Sequence, residues 1–183
     1  MKKSLIAAFF AAFFVIYNFH TAQAVSEKTM ADLLQAGLMT TKDKVAAIDF
    51  SLPSLEGKTI VLSSLKGKIV LLNFWTSWCP PCRAEIPSMQ VLFERFKNEG
   101  LEFAAVNIQE NNKIVAKIKQ QFGITFPLLL DISGQVGAKY GISAIPTTFI
   151  IDRDGNIIAR AVGGIKWDSP QMIEAFKKLL SDR

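Results

Sequence analysis

Both cysteines of the chain stand in one short stretch, Thr76-Ser77-Trp78-Cys79-Pro80-Pro81-Cys82-Arg83-Ala84-Glu85, with two prolines between them. Two sulfurs at that spacing can serve as a structural staple, as half of a metal site, or as a dithiol that is made and broken in turnover. A staple is the weakest use, because the stabilisation from a cross-link grows with the length of the loop it closes, and this loop is very short. A structural zinc wants four N or S ligands, and the only histidine, His20, falls in an N-terminal segment that reads as a leader. The remainder of the chain has no imidazole, which removes Cys-His and Ser-His nucleophile pairs as well.

Redox cycling needs one ionisable sulfur and a second within reach of it. If a strand ends and a helix begins at the motif, Cys79 sits at the helix N-terminus and Pro80 takes the position where a missing N–H costs nothing. Unpaired amides and the helix dipole favour a thiolate there, and thiols in such settings fall from ~8.5 into the range of roughly 3.5–7.5. Cys82 lies one turn on and is expected to be the better shielded of the two. Cys79 would then attack a partner's disulfide and Cys82 would resolve the mixed disulfide. Cys-x-x-Cys alone could be half a zinc ribbon; between a strand and a helix, without a second ligand pair, it reads as a redox site.

The surrounding elements fit that placement. Ile69 to Trp75, "IVLLNFW", is a nearly uninterrupted apolar run of the kind buried on both faces of a sheet. After Cys79 the period changes, and Ala84, Met89, Leu92, Phe93 and Phe96 recur at helical spacing until Asn98-Glu99-Gly100. A strand over 101–109 and an amphipathic helix over 111–123 ending at Gly123 come next. Strand-helix-strand-helix order implies parallel strands joined by crossovers. A strand over 126–131, a short helix over 134–141, a hairpin over 147–163 with an Asp-Gly turn, and a final helix over 169–182 follow. That helix opens on Ser169 as N-cap with Pro170 at its first position. Upstream, 49–53 and 59–63 read as a small hairpin, and residues 25–46 as a linker or peripheral helix. The organisation is one α/β domain over 47–183 whose later strands turn antiparallel.

The first 24 residues are set apart by composition. Lys2 and Lys3 precede an uncharged run from Leu5 to Tyr17, and Ala22-Gln23-Ala24 gives a small-x-small end. This is the pattern of a cleaved signal peptide, and the run is shorter than the ~20 residues that span a bilayer comfortably. Residues 1–24 are read as a signal peptide, with an uncleaved anchor as the alternative. Cleavage would lower the net charge from +5 to +3. With no basic block or basic-aromatic interleaving, no nucleic acid partner is expected.

Asn73-Phe74-Trp75, Trp78-Cys79-Pro80-Pro81-Cys82 and Pro87 resemble the thioredoxin superfamily, Pro87 standing where the family's long helix is kinked by proline. Ile145-Pro146-Thr147 resembles the family's cis-proline loop, which lies beside the dithiol and pairs its backbone with an extended substrate segment. X–Pro bonds in folded proteins are cis only about 5–6% of the time, so a cis Pro146 is expected from the resemblance alone. More narrowly, residues 49–87 and 140–158 are similar to the TlpA/ResA-like, AhpC/TSA-related branch of exported reducing proteins, which includes cytochrome c maturation factors. The resemblance runs from about residue 47 to 182. It implies a thioredoxin-like fold with a central mixed β-sheet flanked by helices, an N-terminal β-hairpin extension and a helical insert near 109–123. It further implies a periplasmic or extracytoplasmic monomer without cofactor or metal. Its substrates would be disulfides in exported proteins, apocytochrome c among the candidates, and its electrons would come from a membrane thiol-disulfide donor. Trp78, Pro80, Pro81, Ile145, Pro146 and Thr147 would line the substrate site.

One departure bears on mechanism. Where thioredoxin has a buried aspartate two residues before the first motif tryptophan, this chain has Asn73, which cannot take a proton from Cys82. A substitute base is needed for resolution at neutral pH. Glu110 matches a glutamate that the branch places near its dithiol, and it joins Cys79 and Cys82 in the expected catalytic set. Glu85 follows Cys82 by three and shares its helix face, although its plain reading is a solvated surface carboxylate. Two rival functions remain. Thr76 stands three before Cys79 as in peroxiredoxins, but Leu72 occupies the place of their motif proline. A Cu(I) metallochaperone would use both soft thiolates, against which stand the rigid Pro-Pro spacing and the missing histidine.

Overall fold

The computed structural model describes residues 25–182, so the expected signal peptide, with His20, lies outside the described residues. Among the described residues the order is α1 (Glu27–Gln35), β1 (Met39–Ala46), β2 (Ser51–Pro53), β3 (Thr59–Val61), a short 3-10 turn at Leu62–Leu65, β4 (Ile69–Trp75) and α2 (Pro80–Phe96). Then come β5 (Leu101–Ile108), α3 (Asn112–Phe122), β6 (Leu128–Asp131), α4 (Gln135–Lys139), β7 (Thr147–Ile151), β8 (Asn156–Val162) and α5 (Pro170–Ser181). Six strands form one sheet in the order β1-β8-β7-β4-β5-β6, and β2 and β3 form a separate antiparallel hairpin. β4, β5 and β6 are parallel, whereas β7 and β8 run antiparallel to their neighbours.

β4 lies at the centre of the sheet and is buried at every position, which is why its sequence shows no alternation. Alternation still decides which way each side chain points. Ile69, Leu71 and Trp75 face the layer of α2 and α5, while Val70, Leu72 and Phe74 face the layer that includes Phe50, Leu62 and Val136. Asn73 follows the odd-numbered phase and so faces α2. The helix ends are set by local chemistry: Asn111 caps α3 and Ser169 caps α5, each accepting the N–H of the third residue of its helix. Gly123, at φ 62°, closes α3 in the left-handed conformation.

The segment read as a linker or peripheral helix is built differently. α1 occupies part of it, but Met39–Ala46 is an edge strand that pairs antiparallel with β8, so the sheet begins ahead of residue 47. Almost all of β1 is exposed and its centre is Lys42-Asp43-Lys44. Backbone pairing holds such a strand, and its charges discourage a second partner; no apolar alternation exists to be read. α1 packs on α5, where the Thr29 hydroxyl donates to Asp182 at 2.6 Å and Lys178 pairs with Asp32 at 2.8 Å. Arg153, in the turn between β7 and β8, donates to the carbonyls of Leu180 and Asp182, each at 2.8 Å. Ser26 therefore lies at the pole of the sheet opposite the other ends of β7 and β8, where Pro146 and Gly163 meet.

Candidate active site

β4 delivers the motif. It ends at Trp75, and after a short turn α2 begins at Pro80 with Cys79 as its N-cap. Cys79 and Cys82 are joined as a disulfide with Cα atoms 5.3 Å apart. The N–H of Cys82 donates to the Cys79 sulfur at 3.2 Å, the capping bond of a helix made to a sulfur instead of an oxygen. The prolines at the first two helical positions remove two N–H groups that would otherwise compete. The expected difference in shielding is small in the disulfide state: Cys79 is 3% exposed and Cys82 1%. Their surroundings differ more. The Cys79 sulfur lies 3.7 Å from the carbonyl oxygen of Ile145, while Cys82 faces a cavity of about 10 Å³ bounded by Asn73, Trp75 and Met89.

The Ile145–Pro146 bond is cis. Pro146 is buried at the start of β7, its carbonyl accepts the N–H of Gly163 at 2.8 Å, and Thr147 closes the loop by donating its hydroxyl to Ala144 at 2.7 Å. Thr147 is thus a loop tie as well as the first residue of a strand. Trp78 is 69% exposed and walls one side of a groove of about 340 Å³ with Gln109, Ile142, Ser143, Ala144 and Ile145. Pro80 and Pro81 are exposed beside it. Trp75 is a core aromatic.

The two acids are placed apart. Glu110 accepts from the N–H and hydroxyl of Ser77 and from the Asn107 amide at 2.7 Å, so it pins the turn just ahead of Cys79. Glu85 is not the solvated carboxylate of its plain reading. It is 3% exposed and accepts from Asn73 at 3.0 Å, from the Ile165 N–H at 3.2 Å and from the Trp167 indole at 3.1 Å. Burial pushes its carboxyl up to about 7 against the opposing pull of those donors. The signal was present in the sequence: positions 82, 85, 86, 89, 92, 93 and 96 form one buried helical stripe, and Glu85 is inside it. A cleft of about 500 Å³ between α2 and residues 164–168 opens beside Glu85 and is lined also by Pro81, Ser88, Gly164, Lys166 and Asp168.

Sequence reasoning missed three contributors: Ser77, Gln109 and Trp167. Gln109 is the one described non-glycine residue at positive φ, 57°, and its side chain lies against Gly134. Trp167 precedes the cap of α5 in "GGIKWDSP", where no periodicity marks a side chain as buried.

The model of the AhpC/TSA family matches residues 44–160. The chain is 40% identical over 149 residues to the thiol-disulfide oxidoreductase ResA of Geobacillus thermodenitrificans, covering 79% of this chain and 86% of that protein. It is 38% identical over 135 residues to ResA of Bacillus subtilis, covering 74% of this chain and 75% of that one. Among solved structures, a protein of Chlorobium tepidum assigned as the thiol:disulfide interchange protein DsbE matches with a TM-score of 0.69 at 33% identity, over 77% of this chain and 100% of the other.

Proposed function

The chain belongs to the AhpC/TSA family and has a thioredoxin-like fold, and from that premise we propose how this thiol:disulfide oxidoreductase works: as an exported reductant of disulfides in other exported proteins. The observation that carries the reading is the position of Cys79. Its sulfur caps α2 by accepting the Cys82 N–H, and the same sulfur lies beside the carbonyl of Ile145 in the cis-proline loop. A nucleophile is thereby set against an edge of backbone that an extended peptide can pair with.

In the reduced protein the Cys79 thiolate attacks one sulfur of the substrate disulfide. A Cys79–substrate bond forms, the substrate S–S bond breaks, and one substrate thiolate leaves and takes up a proton. Cys82 then loses its proton and attacks the Cys79 sulfur, forming the Cys79–Cys82 disulfide and releasing the second substrate thiolate. Two electrons have passed to the substrate, and a membrane dithiol donor restores the protein by the reverse exchange. Glu85 is the proposed acceptor of the Cys82 proton: it stands one turn along the same helix, and Asn73 both bonds it and bounds the cavity against Cys82. A carboxyl near 7 is matched to base duty at neutral pH. Glu110, whose donors come from Ser77 and Asn107, holds the turn that presents Cys79.

Export is supported by the sequence of residues 1–24. Ser26 lies at the pole opposite the dithiol, so the point at which residues 1–24 join the described domain is remote from Cys79. Apocytochrome c is the proposed substrate within the wider class. The test is capture: Cys82→Ser should accumulate mixed disulfides with exported partners, analysed by mass spectrometry, and Cys79→Ser should trap none. Equal trapping by the two variants would overturn the assignment of roles. Peroxide consumption faster than reduction of insulin disulfides would replace the reductase reading with the peroxidase one.

A further inference from the structure

Residues 163–168 form a strap that touches the cis-proline loop, the start of α2 and Glu85. The Gly163 N–H donates to the Pro146 carbonyl at 2.8 Å, and Gly164 packs so closely on Pro81 that a Cβ there would lie 3.2 Å from the Pro81 oxygen. The Ile165 N–H and the Trp167 indole N–H both reach Glu85 Oε2. Trp167 itself is fully buried; its backbone N–H donates to Ser88 Oγ at 3.2 Å, and its ring meets Phe176 of α5 edge-on at 6.4 Å. The indole is therefore fixed from α2 and α5 and has one direction in which to point its N–H.

Building on the reading of Glu85 as proton acceptor, we infer that Trp167 is a positioning residue that sets how tightly Glu85 holds its proton. An indole N–H can only donate, so its bond to Oε2 stabilises the carboxylate and does less for the neutral acid. Asn73 divides its amide between Glu85 and the Thr148 hydroxyl. Trp167 spends its single donor on Glu85 alone. The Ile165 N–H donates to the same oxygen at 3.2 Å and acts in the same sense, but it is a backbone group, whereas the indole is a side-chain donor that a substitution can remove. From β4 and β7 the neighbours are the neutral Asn73 and Thr148. From α2, Cys82 is held in the disulfide, and Arg83 lies over the Phe122 ring, 5.8 Å from its centroid. From the strap, Lys166 and Asp168 line the cleft beside Glu85 and donate no hydrogen bond to it. Of these side chains, Trp167 is the one that hydrogen-bonds the acceptor from the segment that also holds Pro146 and Pro81, the two sides of the substrate site.

The experiment follows Glu85 directly and turnover separately, with the oxidised full-length protein for the first. In ¹⁵N- and ¹³C-labelled protein, the Trp167 indole resonance, assigned through its contacts with the Phe176 ring, should titrate with the same midpoint as the Glu85 side-chain carboxyl. Trp167→Phe, which keeps the ring and removes the donor, should raise the Glu85 midpoint by about one to two pH units. The acidic limb of disulfide reduction should move to higher pH by the same amount. In a Glu85→Gln background the tryptophan substitution should leave the pH profile where it was. An indole resonance indifferent to pH between 5 and 9 overturns the inference even if Trp167→Phe does not fold, as does a folded Trp167→Phe with an unmoved Glu85 midpoint. If instead the carboxyl midpoint moves but Glu85→Gln retains the acidic limb of turnover, the coupling stands and the proton-acceptor reading falls.

Discussion

Asn73 donates its side-chain amide to Glu85 at 3.0 Å across the interface between the central strand and the helix that carries the dithiol. The residue that stands where thioredoxin has a buried aspartate is thus neutral, and the carboxylate is supplied from α2. The exchange changes which backbone holds the acid. A carboxylate on β4 would be fixed by the sheet, whereas Glu85 is fixed partly by Ile165 and Trp167 from the strap after β8. Its surroundings therefore depend on the segment that supports the cis-proline loop.

The first prediction concerns stability against pH. Burial raises the Glu85 carboxyl from 4.5 to about 7, so between those values the folded protein holds a proton that the unfolded chain has released. Stability is full below the unfolded value and falls as pH rises through the folded one, by on the order of 3 kcal/mol. Urea unfolding of the oxidised protein from pH 4 to 8 should show this decline, and Glu85→Gln should flatten it. A decline of equal size in the variant would assign it to other groups.

How much of this was legible before the structure depends on what holds each element. β4, α2 and α5 announce themselves because apolar burial fixes them and leaves its period in the sequence. β1 is invisible to that logic, since backbone bonds to β8 hold it and its side chains are solvated. The two cysteines, Trp78 and Pro146 could be named from motif and resemblance. Glu85 was named for its spacing from Cys82, but spacing does not tell which way a helix face turns; the apolar stripe around it did. Trp167 could not be found, because its burial comes from a loop folding back onto Glu85 and Ser88, 82 and 79 residues away in sequence.

Glu110→Gln should separate holding from proton transfer. A glutamine oxygen can still accept from the Ser77 N–H and the Asn107 amide while its NH2 turns to the Ser77 hydroxyl, which then accepts, so the substitution removes the charge of the acceptor and keeps the contacts. Exchanging a charged acceptor for a neutral one weakens these bonds by about 1 kcal/mol each, and in a domain of this size each kcal/mol lowers Tm by about 2–4 °C. Thermal unfolding should show that drop, and KM for a peptide disulfide should rise while the acidic limb of the pH profile stays in place. A displaced limb would give Glu110 the acceptor role instead.

Gly134→Ala should be among the costlier single-methyl changes. Gly134 has φ +73°, a region that L side chains rarely adopt, and a Cβ there would sit 2.9 Å from Cγ of Gln109. Strain and overlap together should cost about 1–3 kcal/mol. Adding Gln109→Gly would clear the overlap and relieve the positive φ at 109, so the double variant should recover part of the loss by urea unfolding. Strictly additive losses would mean that the contact between the two residues carries no energy.

The last prediction is the acidity of Cys79, on which the direction of exchange depends. Two contacts act on its sulfur in opposite senses. The Cys82 N–H at 3.2 Å and the N-terminal end of α2 favour the thiolate, whereas the Ile145 carbonyl oxygen at 3.7 Å favours the thiol. The donor is nearer, and the dipole of a seventeen-residue helix adds to it, so the thiolate should win and the Cys79 midpoint should fall below ~7.5. Cys82, turned toward the cavity beside Asn73 and Trp75, should be raised by burial and react slowly. Alkylation of the reduced protein across a pH series, read by peptide mass, should therefore label Cys79 first and with the lower midpoint, and in urea both cysteines should converge near ~8.5. If the folded protein labels both at the midpoint of a free thiol, capping by the sulfur has no effect on its charge, and Cys79 is no better a nucleophile than Cys82.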